Sequence, residues 1–558
     1  MFTFVHTYND ESYAGLLKHG MLREGDGLKV MQTNYKADPF LFNNRAAIGS
    51  PLDKILTELR CPFYIDRYQG GVGLPFLYKY DPAILRHLYN ILGDNFWGFQ
   101  MHEWSSNYRS DYLRIREHYQ KCGFPDPTPE QRHTIWKALR ENPHALFLEA
   151  LTPYEWSSRR DPINRAMFID DIHNLYEARS QTTGFSLIPA DSYHMAPRIE
   201  IANGCRLLLP EVGWQIPNMR MQMAYTRGMA NAASIRFGIY YECWCYNHAV
   251  ENLTIPFSLR DGQDEWGEDQ LTTGIGAERT PEERELGGTS RNLQERLWRY
   301  AYHSGATVLG EEYGVCNTFR DYHDFDLSVY GQTKRSFLSY LDRHTDPGVP
   351  FAPIAVVLPA NLPVLDVCLR DNYLDYPGDD ASFPVSNEYT ARLRSCMQKL
   401  FGYDGRGNTG HVIRCGGFPD VFDILHADQD AALAKYDYLI DLTDDASFAK
   451  THSGVITTDD LDAILDTMLP CRIGEGLHTA YNKTAGGYTV LVLNNDGVTN
   501  DNFEGDTYMA DAEVTAPVRF LGDHSACRVI DGTGALHADG DAYSVTLGAG
   551  QWLLLGID

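Results

Sequence analysis

From Phe2 to about residue 345 the chain takes two hydrophobic periods in turn. Short, nearly continuous apolar runs are followed by stretches in which apolar side chains recur every three or four positions. The stretch Asp81–Trp104 shows one complete unit. Asp81 is an N-cap residue with Pro82 at the first helical position, and Ile84, Leu85, Leu88, Ile91 and Leu92 form one apolar stripe, which predicts an amphipathic helix. Gly93 and Asp94 end it, and Phe96–Met101 then reads as a strand apolar on both faces, as buried parallel strands are. The same alternation predicts strands over Phe2–Tyr8, Leu28–Asn34, Pro62–Tyr68, Phe185–Tyr193, Arg206–Trp214, Phe237–Trp244 and Ala306–Gly314. Helices are expected over Ser12–Leu17, Pro51–Arg60, Asp111–Cys122, Glu130–Glu141, Asn164–Ser180, Asn218–Ser234, Ser290–Ser304 and Leu327–His344. The run HALFLEAL, which contains Glu149, fits a capped helix or a further strand; counting eight strands elsewhere favours the helix. Strand and helix in turn argue for a parallel sheet with crossover helices, closed as a (β/α)8 TIM barrel. An acidic, glycine-rich stretch without periodicity, residues 258–289, reads as a solvated loop or as a rim over the site.

After DPGVPFAP the pattern restarts. Ala355–Pro359, His411–Arg414 and Tyr436–Asp441 read as strands, with helices over Glu388–Leu400 and Asp459–Met468, which predicts a small doubly wound α/β domain. Its first strand runs into PANLP rather than a glycine-rich phosphate loop, which argues against a nucleotide site there. From Cys471 onward short alternating strands punctuated by Gly, Asn and Asp predict an antiparallel β domain. The expected division is 1–348, 349–470 and 471–558.

Composition narrows the chemistry. A chain of 558 residues with 43% hydrophobic residues can bury a large core. A formal net charge of -27 opposes nucleic acid and anionic membranes, which need a basic surface. Eleven scattered cysteines without a CxxC pair read as buried reduced thiols. The opening MFTFVHTYNDE lacks a basic, then apolar leader, and no apolar run is long enough for a membrane span, so a cytoplasmic protein is expected.

Strand tips at the C-terminal side of an α/β barrel build its active site, and acids are abundant there: Asp66, Glu103, Asp191, Glu211, Glu242, Glu311 and Glu312. Two carboxyl groups can protonate a departing glycosidic oxygen and stabilise an oxocarbenium-like centre. Trp104, Trp214 and Trp244 each follow a tip carboxylate by one to three residues and are candidate platforms for sugar C–H faces. Asn34, Asp66, Arg67, Asp191, His102, Glu211 and Glu312 are candidate hydroxyl contacts. A competing reading has His6, His102, Asp66 and Glu211 converging on a metal, though no HExxH motif is present, and no cofactor is expected. A barrel that binds carbohydrate without turnover is the other alternative.

The residues Gly98, Phe99, Gln100, Met101, His102, Glu103 and Trp104 resemble the strand-four segment GWQxDNEYG of clan A retaining glycoside hydrolases, particularly family 42 β-galactosidases. That resemblance implies that Glu103 is the general acid/base; His102 stands where the family has Asn. Arg296, Leu297 and Trp298, then Tyr302, His303, Ser304, Gly305, Ala306 and Thr307, hold places comparable to family 42 segments that follow the nucleophile. This favours Glu242 at the end of strand seven, with Glu211 and Glu149 as alternative acids. The order of barrel, flavodoxin/amidotransferase-like α/β domain and C-terminal β-sandwich is that of family 42, and is similar to family 164 β-mannosidases. The resemblance implies a homotrimer acting on oligosaccharides or other glycosides by double displacement. Tyr241 or Tyr313 would then hold Glu242 ionised by a hydrogen bond.

Overall fold

The structure is a computed structural model that describes residues 2–31, 45–66, 81–102, 176, 187–190, 196–213, 218–243, 245–247, 252–254, 280–312, 314–360, 362, 388–402, 417–501 and 504–558. The predicted apolar runs form strands β1 (Thr3–Thr7), β2 (Gly27–Met31), β3 (Phe63–Asp66), β4 (Phe96–His102), β5 (Leu187–Ala190), β6 (Leu207–Leu208), β7 (Glu211–Val212), β8 (Arg236–Phe237) and β9 (Ile239–Tyr241). A hairpin of β10 (Cys245–Asn247) and β11 (Asn252–Thr254) follows, then β12 (Val308–Glu311). Eight of these make one all-parallel sheet in the order β5-β4-β3-β2-β1-β12-β9-β7, with β6 paired to β8 beside it. That is the neighbour order of an α/β barrel, with β5 and β7 at its two ends.

Period-two alternation shows that the sheet curls. Val5, Tyr64, Trp97, Ile188, Leu207, Leu209, Tyr240 and Val308 form one buried cluster, although Ile188 lies on β5 at one end of the strand order and Tyr240 on β9, next to its other end. A flat sheet could not bring them together. Their alternates Phe4, Leu208, Val212, Ile239, Tyr241 and Leu309 point the other way, into the helical layer, where Trp298 meets Phe4 at 5.6 Å and Tyr241 at 5.3 Å between ring centroids. The helices carry the expected signals. Asn9 caps α1 (Asp10–Lys18) in a capping box, and Ser50 caps α2 (Pro51–Leu59). Asp81 caps α3 (Pro82–Leu92), as its sequence predicts. Pro197–Ala202 is α4, Met219–Ala233 is α5, Arg291–His303 is α6 and Val329–Arg343 is α7.

Two predicted strands are broken. The expected Arg206–Trp214 strand is two short pieces, β6 and β7, on either side of Leu209 and Pro210; proline has no N–H for the ladder. Its neighbour breaks at Gly238, where a Cβ would lie 2.2 Å from the Val308 carbonyl oxygen.

A second parallel sheet has β13 (Ile354–Leu358) at its centre, flanked by β14 (Phe422–His426) and β15 (Tyr438–Asp441), with β16 (Val455–Ile456) outside. Its helices are Glu388–Phe401 and Leu461–Met468. The strand β14 is missing from the sequence reading, and His411–Arg414 lies outside the described residues. Beyond it, antiparallel strands form a five-stranded and a four-stranded sheet. Val349 and Pro350 pair with Lys483 and Asn482 of the five-stranded sheet.

Helix α5 fastens the barrel to the second sheet. Arg227 donates to Asp423 at 2.7 Å and to the Phe422 carbonyl at 2.9 Å, and Arg220 donates to Asp420 at 2.7 Å. Tyr225 meets His426 at 2.7 Å, while Gly228 lets the helix approach so closely that a Cβ would lie 2.6 Å from the Ile424 carbonyl oxygen. Both arginines and both aspartates are buried. His478 also reaches Asp420, at 2.6 Å. Cys61, Cys205, Cys243, Cys396, Cys471 and Cys527 are buried free thiols.

Two predictions follow from this junction. Substituting Arg227→Ala strands Asp423 in the interior and is expected to cost about 3–5 kcal/mol in urea denaturation, whereas Arg227→Met combined with Asp423→Leu restores most of it. Burial holds His426 down at about 4, against 6.5 unfolded. Above pH 6.5 it is neutral in both states; below, the unfolded chain takes up a proton that the native one refuses until about pH 4. Its contribution to stability therefore falls by about 1.4 kcal/mol per pH unit between those values. Denaturation midpoints of His426→Asn should show a correspondingly shallower acid decline than the parent.

Candidate active site

Strand parity decides which tip residues face the barrel interior. Along β6 and β7, Leu207 and Leu209 belong to the interior cluster, so Glu211 shares their face, and it pairs in register with the interior Tyr240. One step past β9, the Glu242 amide donates to the Val212 carbonyl at 2.9 Å, so Glu242 continues the face of Tyr240. One step past β12, the Glu312 amide donates to the Tyr241 carbonyl at 2.9 Å, and Glu312 continues the face of Val308 and Gly310. Three neighbouring parallel strands thus carry three inward carboxylates near their C-terminal ends, Glu242 and Glu312 one step past β9 and β12 and Glu211 at the start of the two-residue β7, each with 0% exposure. Glu242 lies directly over Gly213: a Cβ at that position would sit 2.2 Å from its Cγ and 2.3 Å from its Oε1.

Polar residues line the same face elsewhere. Lys29 of β2 is ion-paired with Asp66 at the tip of β3, and the Tyr240 hydroxyl donates to the same Asp66 oxygen at 3.1 Å. The Lys29 ammonium lies 4.8 Å from the centre of the Tyr240 ring. Gln100 of β4, in register with Ile188, is also inward and fully buried. Sequence reasoning missed Lys29 and Gln100; the signal was a single polar residue at an alternating position inside an apolar strand. Below this layer the interior is apolar and aromatic, so a charge here is poorly solvated and its interactions are strong.

Of the other predicted residues, His102 is the last residue of β4, paired with Ala190 of β5, and its partner in sequence, Glu103, lies outside the described residues. So do Asn34, Arg67, Trp104, Glu149, Asp191, Trp214, Trp244 and Tyr313. Glu311, adjacent to Glu312, points outward, where Lys334 forms an ion pair with it and the Tyr330 hydroxyl donates at 3.2 Å. It is a structural acid. The metal reading loses His6, which alternates away from the interior with Phe4 and meets Asp26 at 3.3 Å. Tyr241 does not hold Glu242: it sits in the helical layer with its hydroxyl 2.7 Å from that of Thr289, and burial raises its pKa well above the usual tyrosine value.

No family model matches the chain, and no curated protein matches it in sequence. Among solved structures it is similar to a catalytic mutant of a family 42 β-galactosidase from G. stearothermophilus, at 8% identity over 99% of this chain and 98% of that one, TM-score 0.41. It is similar to the catalytic module of a family 98 glycoside hydrolase from Streptococcus pneumoniae TIGR4, at 8% identity over 99% and 98%, TM-score 0.42. It is also similar to alpha-L-fucosidase isoenzyme 2 from Paenibacillus thiaminolyticus, at 8% identity over 100% and 99%, TM-score 0.37.

Proposed function

We propose that the chain hydrolyses glycosidic bonds with retention, releasing a terminal β-linked, galactose-like sugar from an oligosaccharide, with Glu242 as nucleophile and Glu103 as acid/base. The observation that carries the reading is the set of three inward carboxylates near the C-terminal ends of adjoining parallel strands, the end of an α/β barrel where catalytic groups gather. Glu242 is the middle one, and the fit of its side chain against Gly213 fixes its position. Strand β4 runs parallel to β9 in the same sheet and ends at His102, the residue before Glu103 in the sequence.

Ionised Glu242 attacks the anomeric carbon while Glu103 protonates the departing oxygen; Glu103 then takes a proton from water, which cleaves the glycosyl-enzyme ester. Retention needs the two carboxyl groups about 5–5.5 Å apart. Glu211, Glu312 and the Lys29–Asp66 pair are suited to sugar hydroxyls, since charged partners make the stronger hydrogen bonds. The alternative of a carbohydrate-binding barrel without turnover is favoured by one residue, His102 in the place of Asn.

Substituting Glu242→Gly should lower turnover of nitrophenyl glycosides roughly 10³-fold or more, with partial rescue by azide, which attacks the anomeric carbon from the face Glu242 vacates, expels the nitrophenolate and leaves the α-azido sugar. An unaffected rate would remove the nucleophile assignment, and proton NMR of the first-formed anomer separates retention from inversion. Substituting Gly213→Ala pushes the Glu242 carboxylate aside and is expected to cost roughly 10²-fold in kcat with little change in circular dichroism.

A further inference from the structure

At the opposite, N-terminal end of the barrel strands lies a cavity of about 860 Å³ between the C-terminal part of α3, the start of β4, the residues entering β6 and the strand β8. Arg86, Arg206 and Arg236 line it, along with a single carboxylate, Asp94. Among the described residues none of the three arginines forms an ion pair with a carboxylate, in contrast to Arg23, Arg198, Arg220, Arg227, Arg320 and Arg343 elsewhere. In a chain with 75 acidic and 48 basic residues, three guanidinium groups gathered without acid partners run against the composition. All three arginines are exposed, and together they give the cavity a positive potential that favours an anion.

The walls are suited to a small molecule. The Arg236 guanidinium lies 4.6 Å from the centre of the Trp97 ring, a cation–π contact that holds it at the cavity wall. Tyr89, 55% exposed, adds an aromatic wall. We propose that this cavity is a second site, separate from the strand-tip carboxylates, that binds a small molecule carrying a tetrahedral dianion, a phosphate or sulfate ester, through the guanidinium groups of Arg86, Arg206 and Arg236. Planar guanidinium forks suit such oxyanions, and the ring of an aromatic or sugar ester fits against Tyr89.

The test is isothermal titration of the full-length protein with phenyl phosphate, phenyl sulfate and, as a neutral probe of the same shape, phenol. Saturable binding of one ester but not of phenol is expected, weakened at least roughly tenfold in Arg206→Ala and in Arg236→Ala, and unchanged in Arg519→Ala, an exposed arginine of the four-stranded antiparallel sheet. The ester that binds more tightly distinguishes phosphate from sulfate. Because Arg206 and Arg236 lie near the barrel, circular dichroism and the nitrophenyl glycoside rate of each variant are measured alongside. Loss of ester binding with both retained supports the site. Absence of saturable binding in the parent, equal binding of phenol, or undiminished binding in both cavity variants overturns it.

Discussion

Curling a parallel sheet removes solvent from every second residue of its strands, and this constraint organises the molecule. The interior must be filled to ordinary packing density, so large side chains at Tyr64, Trp97 and Tyr240 are matched by absent ones. Gly310 leaves space that the Tyr64 hydroxyl occupies, since a Cβ there would lie 2.6 Å from it. Gly27 similarly clears the Pro62 carbonyl oxygen, which a Cβ would approach to 2.9 Å. The same alternation that packs the lower interior with apolar rings delivers Lys29, Asp66, Gln100, Glu211, Glu242 and Glu312 to its upper layer. The chemistry of the upper layer is therefore built on the packing of the lower one.

The helical layer is tied outward with charge as well as apolar contact. Arg220, Tyr225 and Arg227 on α5 reach Asp420, His426 and Asp423 at or near the central parallel sheet, and His478 adds the five-stranded antiparallel sheet to the same network. Buried pairs of this kind cost desolvation, so they contribute registry more than raw stability. They hold the helix that precedes strand β9, and with it the backbone that leads into Glu242.

Much of the barrel was legible because its signals are local. The stripe on α3, the caps at Asp81 and Ser50, and the apolar runs of β1 to β4 need no knowledge of distant residues. What the sequence hid depends on partners far along the chain. The strand VFDILH carries an aspartate at its middle, which reads as a break until Arg227, 196 positions away, is seen to neutralise it. Lys29 looks like a surface residue until Asp66 appears across the interior. Glu311 and Glu312 are indistinguishable by type and spacing; only the strand's parity sends one to Lys334 and the other inward.

The six buried thiols among the described residues have a practical consequence. Burial pushes Cys61 and Cys527 up to about 11 and Cys396 and Cys471 up to about 12, so at neutral pH they are protonated as well as shielded. Alkylating reagents meet no reactive thiolate at these positions in the native molecule. Labelling at Cys61, in the barrel, and at Cys471 and Cys527, in the antiparallel sheets, then times the opening of each region, giving the chain built-in clocks for the order in which its layers come apart.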